Sequence, residues 1–268
     1  MNYSNILYAK EEGIATITLN RPDKLNALDS AILIELIDAI DDAREDDHVK
    51  VMIMTGAGRG FCSGADLASP VSGSDPKQPG INRPVRLEPF IAFGAVARRL
   101  HDFPKPYIAA VNGVSSGGGL SLALLADIRI ASENASFIAV FVRRGLVADT
   151  GTTYLLPRIV GVETALQMMW TGEAVDAKEA ERIGLVSRVV APEQLMAAAR
   201  ELAGKIAKGP SVSIELMKRM VYAGLEGNSF TLQAAYEGWA QEMCYLTDDF
   251  KEGVAAFLQK RKATFTGN

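Results

Sequence analysis

Apolar positions fall first into short runs and later into long helical stripes. Ile6–Lys10 and Gly13–Asn20 carry β-branched residues and are joined by Glu11–Glu12, which predicts a hairpin ended by Asn20–Pro22. Behind Asp29 or Ser30, either able to cap a helix, Ile32, Leu33, Leu36, Ile37 and Ile40 recur at helical spacing in a segment running to about Glu45. One face of that helix is core. Val51–Thr55 is apolar without polar alternation, the pattern of a strand covered on both faces, and Gly56, Gly58 and Gly60 break it. A similar order returns with Phe90–Phe103 as helix, Tyr107–Asn112 as buried strand, Leu120–Ala126 as helix and Ile128–Ala131 as strand. Such an order favours β-β-α units over a Rossmann half. From Val162 the pattern becomes almost wholly helical, over Glu163–Thr171, Ala177–Ile183, Glu193–Lys208, Ser211–Ala223, Phe230–Leu246 and Asp249–Lys260. The last of these helices carry apolar positions beyond what a core of their own covers, which points to packing on another subunit.

Residues 69–89 interrupt this order. They are rich in Pro, Gly and Ser with neither helical nor strand period, and a loop of that length in a compact domain suggests a lid. The whole chain, 268 residues with 48% apolar composition, can bury a large core. A formal charge of −4 without any long Lys/Arg block argues against a nucleic-acid partner. The first residues, MNYSNILYAKEEG, lack the basic start and apolar core of a secretion signal. The longest apolar runs, such as Leu120–Ala126, stop well short of the roughly 20 residues that a membrane helix needs. Cys62 and Cys244 form no CxxC pair, so neither a disulfide framework nor a zinc site is indicated. A cytoplasmic setting without membrane contact fits these features.

Two glycine turns concentrate the chemistry. In Val111–Ala131, VNGVSSGGGLSLALLADIRIA, three successive glycines precede an apolar helical run, which leaves unhindered backbone N–H groups at a helix start, where negative charge is favoured. No Lys-Ser or Lys-Thr pair follows, against a phosphate loop of the Walker type. A GxGxxG counted from Gly117 would need its last glycine at Leu122, against a dinucleotide site. An oxyanion site and a tight strand-to-helix packing turn both remain. Phe61–Leu67, FCSGADL, is the second turn and also follows a buried strand, so the pair can supply two N–H donors.

GRGFCSGADL together with AAVNGVSSGGGLSLALLADIRIA resembles the enoyl-CoA hydratase/isomerase, or crotonase, family. NRPDKLNALD, LLPRIVG, TGEAVDAKEAERIGLVSRVV and EGVAAFLQKRKATF match the same family, so the resemblance spans nearly the whole chain. It implies an α/β protein with a crotonase-like β-β-α spiral core over residues 1–203 and a C-terminal α-helical trimerisation region over 204–268, with trimers that can pair into hexamers. It also implies that the backbone N–H groups of Ala65 and Gly118 hold the thioester oxygen of an acyl-CoA. Abstracting a proton beside a thioester makes an enolate, and donors already fixed on its oxygen need no reorganisation, each contributing roughly 3–4 kcal/mol. CoA is expected to follow Lys24, Asn26 and Ala27 and the backbone from Ala65 through Asp66 and Leu67 to Ala68, with Lys24 meeting a phosphate. Without that resemblance, a lone loop lysine reads as simply solvated. Phe257 and Lys260 resemble positions that reach the CoA nucleotide of a neighbouring subunit.

The acid/base is the open question. Hydratases of the family use two glutamates to add water, and Ser121 and Phe141 stand at the matching positions here. Ser121 has no histidine placed by sequence to make it a nucleophile; His48 and His101 read as solvated or capping residues. Asp149, in GLVADTGTTYLLP, is by itself an N-cap for the following helix. Isomerase branches of the family, dienoyl-CoA isomerase and the ring-epoxide isomerase of phenylacetate breakdown, carry an acid/base aspartate there. The spacing GL-x-x-D-x-G-x-[TS]-x-LLPR matches the second better. The resemblance therefore implies an acyl-CoA isomerase acting through a thioester enolate, by a Δ3-to-Δ2 double-bond shift or by ring-epoxide isomerisation. Asp149 is its acid/base and Phe141 an apolar wall, with no metal and no cofactor beyond the CoA of the substrate. Phe141, Leu146 and Val147 are expected to desolvate Asp149 and strengthen it as a base. A 2-enoyl-CoA hydratase and a non-catalytic CoA-binding scaffold are the alternatives. Arg143 and Arg144 are assigned no role.

Overall fold

The computed structural model describes residues 3–68, 93–227 and 229–267. Strands β1 (Ile6–Glu11) and β2 (Ile14–Leu19) form the expected antiparallel hairpin, turning at Glu12 and Gly13, both with positive φ. Helix α1 (Ser30–Glu45) starts where the Asp29 carboxylate accepts the N–H groups of Ala31 and Ile32, and it buries Ile32, Leu33, Leu36 and Ile40. Its far end is closed by Lys105, whose buried ammonium donates to the carbonyls of Ala43 and Asp46, both at 2.8 Å.

Three units then each give one strand to each of two sheets. The pairs are β3 (Val51–Gly56) with β4 (Gly60–Cys62), β5 (Tyr107–Val111) with β6 (Val114–Ser116), and β7 (Ile128–Ser132) with β8 (Ser136–Ile138). Helices α2 (Phe93–His101), α3 (Gly118–Leu124) and α4 (Thr152–Val160) follow the successive pairs. After α5 (Val162–Thr171), β9 (Ala174–Asp176) closes the smaller sheet in the order β4-β6-β8-β9. Beyond α6 (Ala177–Arg182), β10 (Arg188–Val190) closes the larger one, in the order β1-β2-β3-β5-β7-β10. Apart from the hairpin and the β8–β9 pair, neighbouring strands run parallel. The expected β-β-α spiral is present.

Two sequence readings change. The stretch beyond Val162 is not almost wholly helical, because β9 and β10 lie in it. Each has only three residues and exists through pairing, not through a period of its own. Residue 203 lies inside helix α7 (Leu195–Ala207), whose Leu195, Ala199 and Ala203 cover the face of the large sheet made by Ile53, Ile108 and Ile130. The chain therefore leaves the sheet only after Ala207. The expected lid at 69–89 and the first residues of the expected helix at 90–103 lie outside the described residues.

Helices α8 (Ser211–Leu225), α9 (Phe230–Tyr245) and α10 (Asp248–Leu258) form the C-terminal region. A polar cluster fastens α8 to the core: Asp127 accepts the Lys218 ammonium at 2.7 Å, the Tyr222 hydroxyl at 2.9 Å and the Tyr107 N–H at 2.7 Å. Burial lowers the pKa of Lys218, and the adjacent Asp127 carboxylate opposes that shift.

Candidate active site

Strands β4 and β6 are neighbours in the small sheet, so the turns that follow them lie side by side. Their backbones touch. A Cβ on Gly64, at φ +95°, would stand 2.7 Å from the Ser116 carbonyl oxygen and 3.4 Å from the Gly118 nitrogen. One on Gly119 would stand 2.0 Å from the Cys62 carbonyl oxygen. Glycine is therefore required by close approach as well as by dihedral freedom. A parallel bridge pairs Leu28 with Ala65, in which the Leu28 N–H donates to the Gly64 oxygen and the Asp66 N–H to the Leu28 oxygen, both at 2.8 Å. The Ala65 N–H consequently points to the other edge. Gly118 opens α3, where a first-turn N–H has no intrahelical acceptor. Neither N–H has a protein acceptor among the described residues.

Ala65 and Gly118 line a cavity of about 90 Å³ together with Phe93, Phe141, Arg144, Leu146 and Asp149. Among the described residues lining it, Asp149 is the only carboxylate. The capping alternative for Asp149 falls, since Gly151 caps α4 with no side-chain hydrogen bond. The Asp149 carboxylate instead accepts the Thr150 hydroxyl at 2.8 Å, and its carbonyl accepts the Thr152 N–H at 2.9 Å. Thr150 adopts φ +53°, an unfavourable region for a β-branched residue that costs about 1–3 kcal/mol. The acid/base candidate is thus carried on a strained turn.

The desolvation expected at Asp149 is corrected. Phe141 is 8% exposed and forms an apolar wall, but Leu146 and Val147 are 58% and 82% exposed and shield little. Arg144 is the charged lining residue that sequence reasoning missed, beside the apolar Phe93 and Val140. Its neighbour Arg143 packs against Gly172, whereas Arg144 turns to the cavity and has no ion pair with a described residue. The Arg-Arg doublet carried no signal to tell the two apart.

Ser121 is fully buried, and its hydroxyl meets the Thr152 hydroxyl at 2.8 Å. His48 pairs with Asp46, and His101 with Asp102 and Glu226, so neither serves Ser121 as a base. Burial pushes the Cys62 thiol up to about 12, so it stays protonated beneath the glycine turns.

Along the expected CoA path, Lys24 lies half-exposed with its ammonium 2.9 Å from the Asp66 carboxylate, and Arg21 reaches the same oxygen at 3.0 Å. The hydrogen bond from Lys24, joined by that from Arg21, holds Asp66 at about 2. The Asn26 side chain is used within the protein. Fully buried at φ +58°, it reaches the carbonyls of Ala57, Gly60 and Phe61 at 3.0, 2.8 and 3.2 Å and accepts the Arg21 N–H at 2.9 Å. Ala27 is buried, and its carbonyl is held by Arg21. Leu67 and Ala68 are exposed, with the Ala68 N–H held by Asp66 at 3.2 Å. Phe257 lies at an open groove of the C-terminal helices, and neither it nor Lys260 lines the cavity within one chain.

A family model described as enoyl-CoA hydratase/isomerase matches residues 9–268, and the chain belongs to that family. It is 37% identical over 262 residues to the 1,2-epoxyphenylacetyl-CoA isomerase of Escherichia coli strain K12, covering 98% of each chain. It is 38% identical over 267 residues to the crotonyl-CoA hydratase of Syntrophomonas wolfei, covering 99% of each. The crystal structure of an enoyl-CoA hydratase from Bacillus anthracis matches with a TM-score of 0.89 at 32% identity, covering 99% of this chain and 100% of that one. The spiral is accordingly the crotonase fold.

Proposed function

We propose that the protein is an acyl-CoA isomerase that works through a thioester enolate. Asp149 takes a proton from C2 of a 3-enoyl-CoA, the electron pair delocalises onto the thioester oxygen, and the N–H groups of Ala65 and Gly118 hold the charge. The same carboxyl returns the proton at C4, leaving a 2-enoyl-CoA; isomerisation of a ring epoxide on a CoA thioester uses the same donors and the same acid/base. The observation that carries this reading is the Asp149 carboxylate, the only one among the described lining residues, in a cavity with two N–H groups that have no protein acceptor among the described residues. One carboxylate suffices for a proton shuttle on one face. The reaction so written needs no resident metal or redox group, because the thioester itself activates C2.

Hydration of 2-enoyl-CoA is the second reading, favoured by relatives such as the hydratase of Syntrophomonas wolfei. It calls for one group to activate water and another to supply a proton, while a buried serine and a phenylalanine stand at the positions resembling the hydratase glutamates. A scaffold without activity would have no use for a strained turn carrying Asp149 beside unpaired donors.

CoA binding is assigned to Lys24 and the backbone from Ala65 to Ala68. Trimers, paired or not into hexamers, are proposed to form through the C-terminal helices, where Phe257 is 82% exposed beside a groove of about 700 Å³; a second copy would then bring Phe257 and Lys260 towards the CoA nucleotide. Among the described residues no helix is long and apolar enough to cross a membrane, and the reading invokes neither a membrane nor a nucleic acid. Cytoplasmic residence is part of the proposal.

The decisive experiment measures 3-enoyl-CoA isomerisation and 2-enoyl-CoA hydration in the wild type and in Asp149→Asn. Isomerisation is expected to dominate and to fall about 10²- to 10⁴-fold in the variant. Hydration that dominates and survives the substitution would overturn the reading.

A further inference from the structure

We infer that Ser121 is a positioning residue: its buried hydroxyl locks the Gly117–Gly118 peptide and the Asp149 turn into one geometry. The inference rests on the oxyanion and acid/base roles proposed above.

The hydroxyl of Ser121 has three neighbours: the Thr152 hydroxyl at 2.8 Å, the Gly117 carbonyl at 3.2 Å and the Asp149 carbonyl at 3.5 Å. Both Ser121 and Thr152 are fully buried, so neither hydroxyl can turn to water. Either hydroxyl of the pair could donate, but Thr152 has no other side-chain partner among the described residues, which assigns it as the donor to the Ser121 oxygen. The Ser121 proton is then left for a carbonyl, and the nearer is that of Gly117.

That carbonyl belongs to the same peptide unit as the Gly118 N–H. It already accepts the Ser121 N–H at 3.0 Å, so the hydroxyl gives it a second donor. A peptide oxygen holding two hydrogen bonds has its plane fixed and its N–H further polarised, which suits a donor aimed at developing negative charge. On the other side, Thr152 donates its N–H to the Asp149 carbonyl at 2.9 Å. One pair of hydroxyls therefore spans from the oxyanion donor to the turn that carries the base. A side chain standing where hydratases of the family keep a glutamate is here withdrawn from the cavity and used to hold its two working parts in register.

The test uses Ser121→Ala, the nearly isosteric Thr152→Val, and Thr152→Ser as the conservative variant that keeps the hydroxyl. Two readouts are taken: steady-state isomerisation, and the carbonyl stretch of a bound saturated acyl-CoA thioester by difference infrared spectroscopy. Ser121→Ala and Thr152→Val are expected to lower kcat about 10- to 100-fold with KM changed about twofold or less, and Thr152→Ser to restore most of kcat. The donor-induced shift of the bound carbonyl stretch to lower wavenumber is expected to shrink in both impaired variants. Wild-type kcat in the folded Ser121→Ala or Thr152→Val protein overturns the inference, as does a lowered kcat with an unchanged carbonyl shift. Should Ser121→Ala fail to fold, Thr152→Val decides by the same criteria. If the wild type proves not to isomerise 3-enoyl-CoA, the proposed reaction fails while the carbonyl shift still decides the role of Ser121.

Discussion

On one side of the cavity, Gly64 and Gly119 pack against backbone of the facing turn with Gly117 and Gly118 buried beside them, while on the other Asp149 rises from residues 142–150, a stretch of mostly exposed side chains. The first side presents N–H groups that sheet pairing and helix entry have already aimed. The second presents one carboxylate on a turn with Thr150 at φ +53°. Donors to an enolate must be in place before charge develops, so they belong to the backbone of the packed core. A proton carrier can be any side chain that a turn brings within reach. Ser121 and Thr152 tie the two sides together, and an isomerase and a hydratase are similar to this chain at 37% and 38% identity. Overall identity therefore does not separate the two reactions.

This contrast can be broken at single glycines. The largest effect is expected for Gly119→Ala, whose Cβ would lie 2.0 Å from the Cys62 oxygen with no side chain able to give way. A loss of about 3 kcal/mol or more is expected, seen as collapse of soluble yield or of the thermal midpoint. Normal folding would show that the two turns are less tightly coupled than their backbones suggest.

Next comes Gly118→Pro against Gly118→Ala. Proline is tolerated at the first helical position and puts a ring carbon in place of the N–H hydrogen, whereas alanine brings the same Cβ, 3.3 and 3.4 Å from side-chain atoms of Phe93 and Leu28, and keeps the donor. A loss in kcat of about 10²- to 10³-fold is expected for proline and a much smaller one for alanine. Equal kinetics in the two variants would remove Gly118 from the oxyanion site.

The smallest effect is expected on the exposed side. Gly145→Ala meets nothing within 4 Å, and only its φ of +66° opposes the change. A cost of about 1 kcal/mol in chemical denaturation is expected, with isomerisation changed by only a small factor. A loss comparable to that of Gly119→Ala would mean that both sides are equally rigid.

Much of this was legible along the chain. The hairpin, α1 and the long strands showed their periods because each is long enough to repeat a burial pattern. The glycine turns stood out because three glycines precede an apolar run, yet that pattern alone left an oxyanion site and a packing turn both open. The strands β4, β6, β8, β9 and β10 were not read as such, each having only three residues and no pattern apart from its neighbours. The motif around Asn26 does not show that its amide reaches the carbonyls of residues far along the chain. Leu146 and Val147 were taken for a desolvating wall because apolar character does not fix exposure at a turn.

By itself the sequence carried the family resemblance, which implied the spiral core, while local periods showed the hairpin, α1 and the longer strands. It also named Asp149, yet left open whether that carboxylate caps a helix or faces a cavity. Only the tertiary structure decided this, by giving the α4 cap to Gly151 and placing Asp149 among the lining residues. It likewise decided that Ser121 is buried against Thr152 and that Arg144, not Arg143, turns to the cavity. The direction in which a side chain points depends on what packs around it, and those neighbours are brought together from distant parts of the chain only when it folds.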